Sequence, residues 1–205
     1  MERNKKAILI AMVLGDGYLR NDKRSGSVSL KICHSSKQRE YVEYKAELLH
    51  SLLGGKYPKI NEYTCILHDK QFKQLRFERA HKYFKVLHNW MYPDKYKYLR
   101  YLTPTALAIW YMDDGSIVAN NRYADGSVSS ARTNIHTCCQ SRDRADIICK
   151  YFQDTWDIKF TPFNEKGTYS IRCFHKEGEK FHKLIRPHII PSMQYKQRFY
   201  YDTSS

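Results

Sequence analysis

The chain has 205 residues, of which 42% are hydrophobic and 27% are charged, proportions typical of an ordinary globular protein and not of a disordered one. Its 35 lysines and arginines outnumber 21 aspartates and glutamates, and the resulting net charge of +14 makes nucleic acid the leading partner. No apolar run approaches the roughly 18 residues that cross a bilayer, and no amphipathic basic helix is evident, so we expect no membrane association.

The cysteines do not form the pattern of a zinc ribbon or a redox site. None of the six belongs to a C-x-x-C pair, and their spacing does not indicate a disulfide framework. We therefore expect free thiols and an intracellular, reducing compartment. A bacterial or phage cytoplasm and an organelle, mitochondrion or chloroplast, are equally consistent with this composition.

Two segments of similar character lie about half the chain apart. Residues 7–19 read AILIAMVLGDGYL, and residues 103–115 read TPTALAIWYMDDG, so each apolar stretch runs into Asp-Gly. Because the second copy is internal, a secretion signal does not explain the pattern. The two copies indicate an internal repeat.

The flanking residues predict that both segments are short helices ending at an aspartate. Thr103 and Pro104 are typical of an N-cap followed by the first helical position, and Gly115 is expected to stop the helix in a left-handed conformation. Asn4 and Gly17 are expected to do the same in the first copy. The alternative, a strand that turns at Asp-Gly, fits these start and stop signals less well.

The residues after each Asp-Gly follow one order in both halves. A polar alternating region (18–34 and 116–140) precedes an amphipathic helix, whose apolar face in the first half includes Tyr41, Lys45 and Leu49. Two further strands follow, near 59–67 and 72–78 and again near 158–163 and 168–174, and each half closes with a helix.

This order predicts an α+β fold of two α-β-β-α-β-β-α repeats. We place the N-terminal repeat at residues 1–97 and the C-terminal repeat at residues 98–205, in one compact monomer. The segment 92–102 is the natural joint between them.

An aspartate at a helix C-terminus lies against the negative end of the helix dipole. If the two helices pack side by side, Asp16 and Asp114 come together, and a carboxylate pair beside a polyanion requires divalent cations. Oxygen ligands of this kind favour Mg²⁺ over zinc. Ala11 and Gly15 provide small residues for close packing, whereas Ile109 and Asp113 at the equivalent positions are larger.

The segments LIAMVLGDG and LAIWYMDDG resemble the paired signature of LAGLIDADG homing endonucleases, in the single-chain form with two motifs. The contexts YLTPTALAIWYMDDGS and IRPHIIPSMQYK are similar to the branch carried by group I introns. The resemblance implies a monomer whose motif helices form the interface between halves, with two four-stranded sheets laid on DNA as a saddle. It also implies Mg²⁺-dependent cutting of both strands across the minor groove, leaving short 3′ overhangs.

The resemblance also suggests roles for particular residues. Asp16 and Asp114 match the metal-binding catalytic acids, because each immediately precedes the motif glycine. The side chain of Asp113 is expected to point elsewhere, while its carbonyl and that of Gly15 reach a metal. A catalytic lysine is expected in each half: Lys196 in the second, and in the first Lys97, with Lys95 as the close alternative.

DNA contacts are expected from one face of the strands that follow each motif, where a one-residue register error would turn a side chain away. Arginine and asparagine can read base edges, whereas lysines are better suited to phosphate. The expected residues are Arg20, Lys23, Arg24, Lys31, Arg122, Tyr123, Arg132, Asn134 and His136, with Arg172, Lys59 and Arg76 as weaker candidates on the outer strands.

Three functions are consistent with these features. The first is a site-specific double-strand DNA endonuclease associated with a mobile intron. The second is a maturase of the same fold that binds intron RNA, and the third is an inactive DNA-binding protein, which would usually have lost one of the two acids. We do not expect an intein origin, because the sequence starts at Met1 and lacks the flanking splicing residues.

Overall fold

A computed structural model describes residues 3–67, 69–122, 124 and 128–200. The elements of the first half are α1 (Arg3–Leu14), β1 (Tyr18–Asp22), β2 (Ser27–Ser35), α2 (Arg39–Leu53), β3 (Asn61–Leu67), β4 (Lys70–Ala80), α3 (Lys82–Met91) and a 3-10 helix (Lys95–Tyr101). Those of the second half are α4 (Pro104–Asp114), β5 (Gly115–Arg122), β6 (Val128–Cys139), α5 (Arg142–Trp156), β7 (Thr161–Glu165), β8 (Thr168–Phe174) and α6 (His175–Ile185). The predicted α-β-β-α-β-β-α order, repeated twice, is confirmed.

Each half contains a four-stranded antiparallel sheet with the same topology. The strand orders are β1-β2-β4-β3 and β5-β6-β8-β7. In β2, Leu30 and Ile32 are buried under the helices, whereas Lys31 between them lies on the opposite face. In the second sheet Ile135 pairs with Ile171 on the buried face. One face of each sheet is therefore covered by helices, and the other is open.

Helices α1 and α4 form the centre of the molecule and pack against each other. Every residue from Ala7 to Leu14 is buried, as is every residue from Ala106 to Met112. A helix that is apolar on every side is buried within the protein, as both of these helices are. We refer to the contact between α1 and α4 as the seam.

The start signal predicted for α4 is confirmed, and the one predicted for α1 is wrong. The Thr103 hydroxyl accepts a hydrogen bond from the Ala106 N–H at 3.4 Å, and Pro104 occupies the first turn. Helix α1 begins at Arg3, so Asn4 lies inside it and does not cap it. Asn4 instead accepts a hydrogen bond from the Thr103 hydroxyl at 3.2 Å, which ties the two helix starts together.

The predicted reason for the motif glycines is also wrong. Gly115 has a φ of −80° and opens β5 in extended conformation, and Gly17 is not among the residues with positive φ. Both positions require glycine because of space. A Cβ on Gly17 would overlap the Met12 carbonyl, and a Cβ on Gly115 would overlap the ring and carbonyl of Tyr111.

All six cysteines carry free thiols. Within the described parts of the chain, no helix has both the length and the apolar character needed to cross a membrane.

Gly17→Ala should destabilise the protein, because the added Cβ meets backbone atoms that have little room to move. We expect the free energy of unfolding to fall by about 1–3 kcal/mol, as for other overpacked sites. Urea unfolding would measure the change. Asn89→Ala, on the exposed side of α3, is the control and should stay within about 0.5 kcal/mol of the parent. Equal stability of the two variants would contradict the close approach at Gly17.

Candidate active site at the seam

The two motif aspartates lie at the same end of the seam. The helix starts are tied by Thr103 and Asn4, and at the other end the Asp16 N–H donates to Asp113 Oδ2 at 3.1 Å. Helices α1 and α4 therefore run in the same direction. Asp114 is the last residue of α4, and Asp16 follows the end of α1 by two residues.

Each motif carboxyl has a raised pKa. Burial is the main cause for Asp114, followed by the negative charges of Asp113 and Asp16, and together they raise its pKa to about 7. The Trp110 indole N–H donates to Asp114 Oδ2 at 3.1 Å and opposes this shift. The Asp16 side chain is 43% exposed, and its pKa is raised by partial burial and by Asp113. Negative charge therefore accumulates at this end of the seam.

The Asp113 carboxylate is completely buried and lies against the first half of the chain. Its Oδ1 accepts from Lys45 Nζ at 2.5 Å and from the Tyr41 hydroxyl at 2.8 Å. Its Oδ2 accepts the Asp16 N–H, and a Cβ on Gly15 would overlap this carboxylate. The side chain of Asp113 is therefore directed into the first half, to which all its partners named here belong.

His34 at the end of β2 connects Lys45 with Asp16. Its Nε2 lies 3.0 Å from Lys45 Nζ, and its Nδ1 lies 3.5 Å from Asp16 Oδ2. Burial and the Lys45 charge lower the pKa of His34 to about 4, so the ring is neutral near pH 7. Because an ammonium group only donates, Nε2 must accept and the proton lies on Nδ1, facing Asp16.

Asp16, His34 and Asp113 are the residues in the described parts of the chain whose side chains are grouped closely enough to hold a metal ion. Their potential ligand atoms all lie within 4.8 Å of one another. The Lys45 ammonium already contacts Asp113 and His34 in this group. Asp16 is therefore the carboxylate of the group that Lys45 does not contact in these hydrogen bonds.

Lys196 reaches the seam from the C-terminal segment Pro191–Tyr200. Its Nζ donates to the carbonyls of Met112 at 2.6 Å and Asp113 at 3.0 Å, and its own carbonyl accepts from the Tyr111 hydroxyl at 2.7 Å. Burial lowers the pKa of this lysine, although all three motif-end aspartates act to raise it. The structure thus brings Lys196 to the predicted acids, with the Asp113 carbonyl as one of its acceptors.

The two first-half lysines differ in position. Lys95 is half-buried and lies near enough to Asp114 to lower the pKa of that carboxyl. It also lines a cavity beside Gly15 and Gly17. Lys97 is exposed and does not line this cavity. This geometry favours Lys95, the alternative, over Lys97 as the lysine of the first half.

The predicted DNA contacts of the first half lie on the open face of the sheet or in its turn. Arg20 and Lys31 point away from the core, and Arg76 shares their face through its pairing with Cys33. Lys23 and Arg24 occupy the exposed turn between β1 and β2. Arg20, Lys31 and Arg76 therefore share the open face of the sheet, whereas Lys23 and Arg24 lie in the turn.

The second half repeats this arrangement. Arg132, Asn134 and His136 share one face of β6, and Arg172 pairs with Asn134 on that face. Arg132 and His136 are half-buried there, whereas Asn134 is itself buried. His136 is held by Glu165 Oε2 and by Ser116 Oγ, each at 2.8 Å. Tyr123 and the side chain of Arg122 lie outside the described residues.

Sequence reasoning missed Lys45, Tyr41 and His34 as part of the site. Lys45 had been placed among the apolar-face residues of α2, and a lysine on the buried face of a helix was the available signal. Lysine is rarely fully buried unless it has a partner. Its partner, Asp113, lies in the other half of the chain.

Comparison with known proteins identifies related sequences. A model of the LAGLIDADG DNA endonuclease family matches residues 6–181. Protein RecA of Mycolicibacterium chitae is 25% identical over 202 residues, which cover 92% of this chain and 45% of that protein. The chain thus spans less than half the length of this relative. Probable intron-encoded endonuclease 1 of Wickerhamomyces canadensis is 25% identical over 207 residues, covering 97% of this chain and 86% of that protein.

Solved structures show the same fold. The homing endonuclease I-WcaI bound to its DNA recognition sequence matches with a TM-score of 0.81 and 22% identity, over 95% of this chain and 86% of that chain. I-DmoI in complex with DNA and Mn matches with a TM-score of 0.52 and 14% identity, over 89% of this chain and 96% of that chain.

The raised pKa of Asp114 predicts a pH effect on the stability of the metal-free protein. Folding raises this pKa from 3.8 to about 7, so the folded state binds more protons between these values. The stabilisation is complete below pH 3.8 and is lost as the pH rises through about 7. In EDTA, Asp114→Asn should match the parent near pH 4 and exceed its free energy of unfolding by about 1–3 kcal/mol near pH 8.

Urea unfolding at a series of pH values would measure this difference. Asp146→Asn is the control, because this aspartate lies on the exposed side of α5 with a side chain 51% exposed. It should differ from the parent by less than about 0.5 kcal/mol throughout. A difference for Asp114→Asn that does not vary with pH would contradict the raised pKa.

Proposed function

This chain belongs to the LAGLIDADG DNA endonuclease family, and we propose that it is a site-specific endonuclease that cuts both strands of duplex DNA. The observation that carries the proposal is the position of Asp16 and Asp114 at one end of the seam, with Lys196 beside them. The cutting requires Mg²⁺ or a similar divalent cation and leaves 3′ overhangs. Its target is duplex DNA at the insertion site of an intron.

Two cations at this end of the seam would offset charge that the protein itself leaves uncompensated. Burial and neighbouring carboxylates raise the pKa of both acids, so a nearby cation is favourable for each of them. Asp16 and Asp114 would hold the metal, whereas the Asp113 carboxylate is already paired with Lys45. When bound, divalent ions polarise phosphate and activate water for in-line hydrolysis. Carboxylate oxygens favour Mg²⁺, and the related I-DmoI was solved with DNA and Mn.

Residues of the protein contribute positive charge and orientation to the reaction. Lys196 is held by two backbone carbonyls of α4, so its cation is positioned before substrate arrives. A fixed cation of this kind stabilises negative charge that develops on the phosphate. Lys95 is the corresponding candidate near Asp114.

The open faces of the two sheets supply the DNA-binding surface in this proposal. Arg20, Lys31, Arg132 and Arg172 project from those faces, and the overall charge of +14 favours a polyanion. DNA that contacts both sheets would cross the end of the seam that carries the acids.

Replacement of either motif acid should abolish double-strand cutting. Asp16→Asn and Asp114→Asn should each lower the single-turnover rate by about 1,000-fold or more, because each removes a metal ligand and its charge. Incubation with Mg²⁺ and a library of intron-insertion sequences would identify the target and map the ends. DNA affinity, measured by gel shift, should be retained.

Asp154→Asn provides the matched control, since Asp154 is an exposed acid of α5 paired with Lys150. Its cutting rate should equal that of the parent. Cutting by either motif variant at the parental rate would refute the metal assignment. RNA-dependent splicing without any DNA cutting would instead support the maturase alternative.

The two lysine candidates can be separated by paired substitutions. Lys95→Ala should lower the single-turnover cutting rate by about 10- to 100-fold, because it removes a cation near Asp114. Lys97→Ala, on the exposed side of the same 3-10 helix, should leave the rate within about twofold of the parent. Strand-specific rates at saturating enzyme would measure both. The reverse result would assign the catalytic role to Lys97.

A further inference from the structure

A buried ion pair joins the two halves directly beneath the candidate active site. The Lys45 ammonium and the Asp113 carboxylate are 2.5 Å apart, and both side chains have no exposed surface. Lys45 comes from the middle of α2, and Asp113 comes from the last turn of α4. The pair therefore joins α2 of the first half to α4 of the second half.

This pair is poorly explained as a source of stability. Desolvation of two charges usually cancels most of their attraction, and apolar side chains of similar volume often stabilise a core more. The pair does impose a specific geometry, because each buried charge requires the other. Tyr41 adds a donor to the same oxygen at 2.8 Å, which leaves Asp113 with little freedom.

The second oxygen of Asp113 transmits this geometry to the reaction site. It accepts the backbone N–H of Asp16 at 3.1 Å, just beyond the end of α1. Asp114 is held differently, by the indole of Trp110 from its own helix. The backbone of Asp16 thus depends on a contact from the other half, whereas the Asp114 side chain is held from within α4.

The arrangement exists on one side of the seam only. Gly15 precedes Asp16 as Asp113 precedes Asp114, so glycine occupies the position equivalent to Asp113. Helices α2 and α5 each have 15 residues, and the seventh residue is Lys45 in one and Ile148 in the other, both fully buried. The second half therefore lacks both members of the pair at the equivalent positions.

We propose that Lys45 is a positioning residue that acts through Asp113 on Asp16 and sets the relative rates at which the two DNA strands are cut. The inference rests on the proposed endonuclease function. Loss of the pair weakens the contact that holds the Asp16 backbone, whereas Asp114 keeps its hydrogen bond from the Trp110 indole. Cutting at the strand served by Asp16 then slows more than cutting at the other strand.

The test measures both strands separately. A duplex target obtained by cleavage selection is labelled on one strand or the other, and single-turnover rates are recorded with Mg²⁺ at saturating enzyme. Lys45→Met should change the ratio of the two rates by about tenfold or more, the effect of a small misplacement of a catalytic group. A purely structural role would lower both rates equally through the folded fraction and leave the ratio unchanged.

A second variant covers the case in which the unpaired Asp113 charge prevents folding. Lys45→Met combined with Asp113→Leu leaves no uncompensated charge in the core but still removes the acceptor of the Asp16 N–H. It should shift the strand ratio in the same direction. Ile148→Leu, at the equivalent position of α5, is the control and should leave the ratio unchanged.

The outcomes separate the inference from the function on which it rests. If the parent cuts both strands and neither Lys45 variant alters the ratio, the positioning role is refuted. If Ile148→Leu alters the ratio as strongly, the effect is a general response of the core and the role is also refuted. If the parent cuts neither strand of any target, the endonuclease proposal fails, and the inference fails with it.

Discussion

The close parallel packing of α1 against α4 is the constraint on which the candidate site depends. It encloses two helices that are apolar on every side, and it brings their C-terminal ends to one point. It also removes the space for a side chain at Gly15, where a Cβ would overlap the Asp113 carboxylate of the other helix. A carboxylate at the end of each helix is then forced into a partly buried position. The raised pKa values of Asp16 and Asp114 are the electrostatic consequence.

The charges around the seam indicate why two acids and not three are suited to bind cations. Asp113 is neutralised by Lys45 within the core and hydrogen-bonded by Tyr41. Asp114 has an indole N–H as its described partner, and Asp16 faces a histidine that burial keeps neutral near pH 7. Because neither has an ammonium group within salt-bridge distance among the residues that the structure describes, their negative charge remains available to bind a cation or to orient water.

The sequence predicted the fold better than it predicted the reasons for particular residues. The element order and the Thr103 cap depend on patterns within short stretches of chain, the repeat depends on the likeness of two such stretches, and each is confirmed. The left-handed conformation predicted for the motif glycines is wrong, and the structure gives a different reason for glycine at these positions. A local pattern shows that a side chain is absent, whereas only the folded structure shows that Met12 and Tyr111 fill the space.

The site was less predictable because its geometry depends on contacts between the halves. The Lys45–Asp113 pair joins residues 68 positions apart, and the segment around each residue does not indicate its partner. The preference for Lys95 over Lys97 has a similar origin. Both lie in a 3-10 helix with three residues per turn, so side chains two positions apart project in directions about 120° apart. The positions of Lys95 and Lys97 along the chain do not contain this information.

The asymmetry of the seam limits how independently its two sides can change. A buried aspartate at position 15 would require a cation at position 148, where the core now holds isoleucine. Removal of the Asp113 charge alone would leave the Lys45 ammonium buried without a counter-ion, which is costly. Each single substitution that would convert one arrangement into the other therefore leaves a buried charge without a partner or overfills the core. The two halves share one fold, but the buried pair makes the residues around Asp16 chemically different from those around Asp114. The residues of one half therefore cannot replace those of the other one at a time.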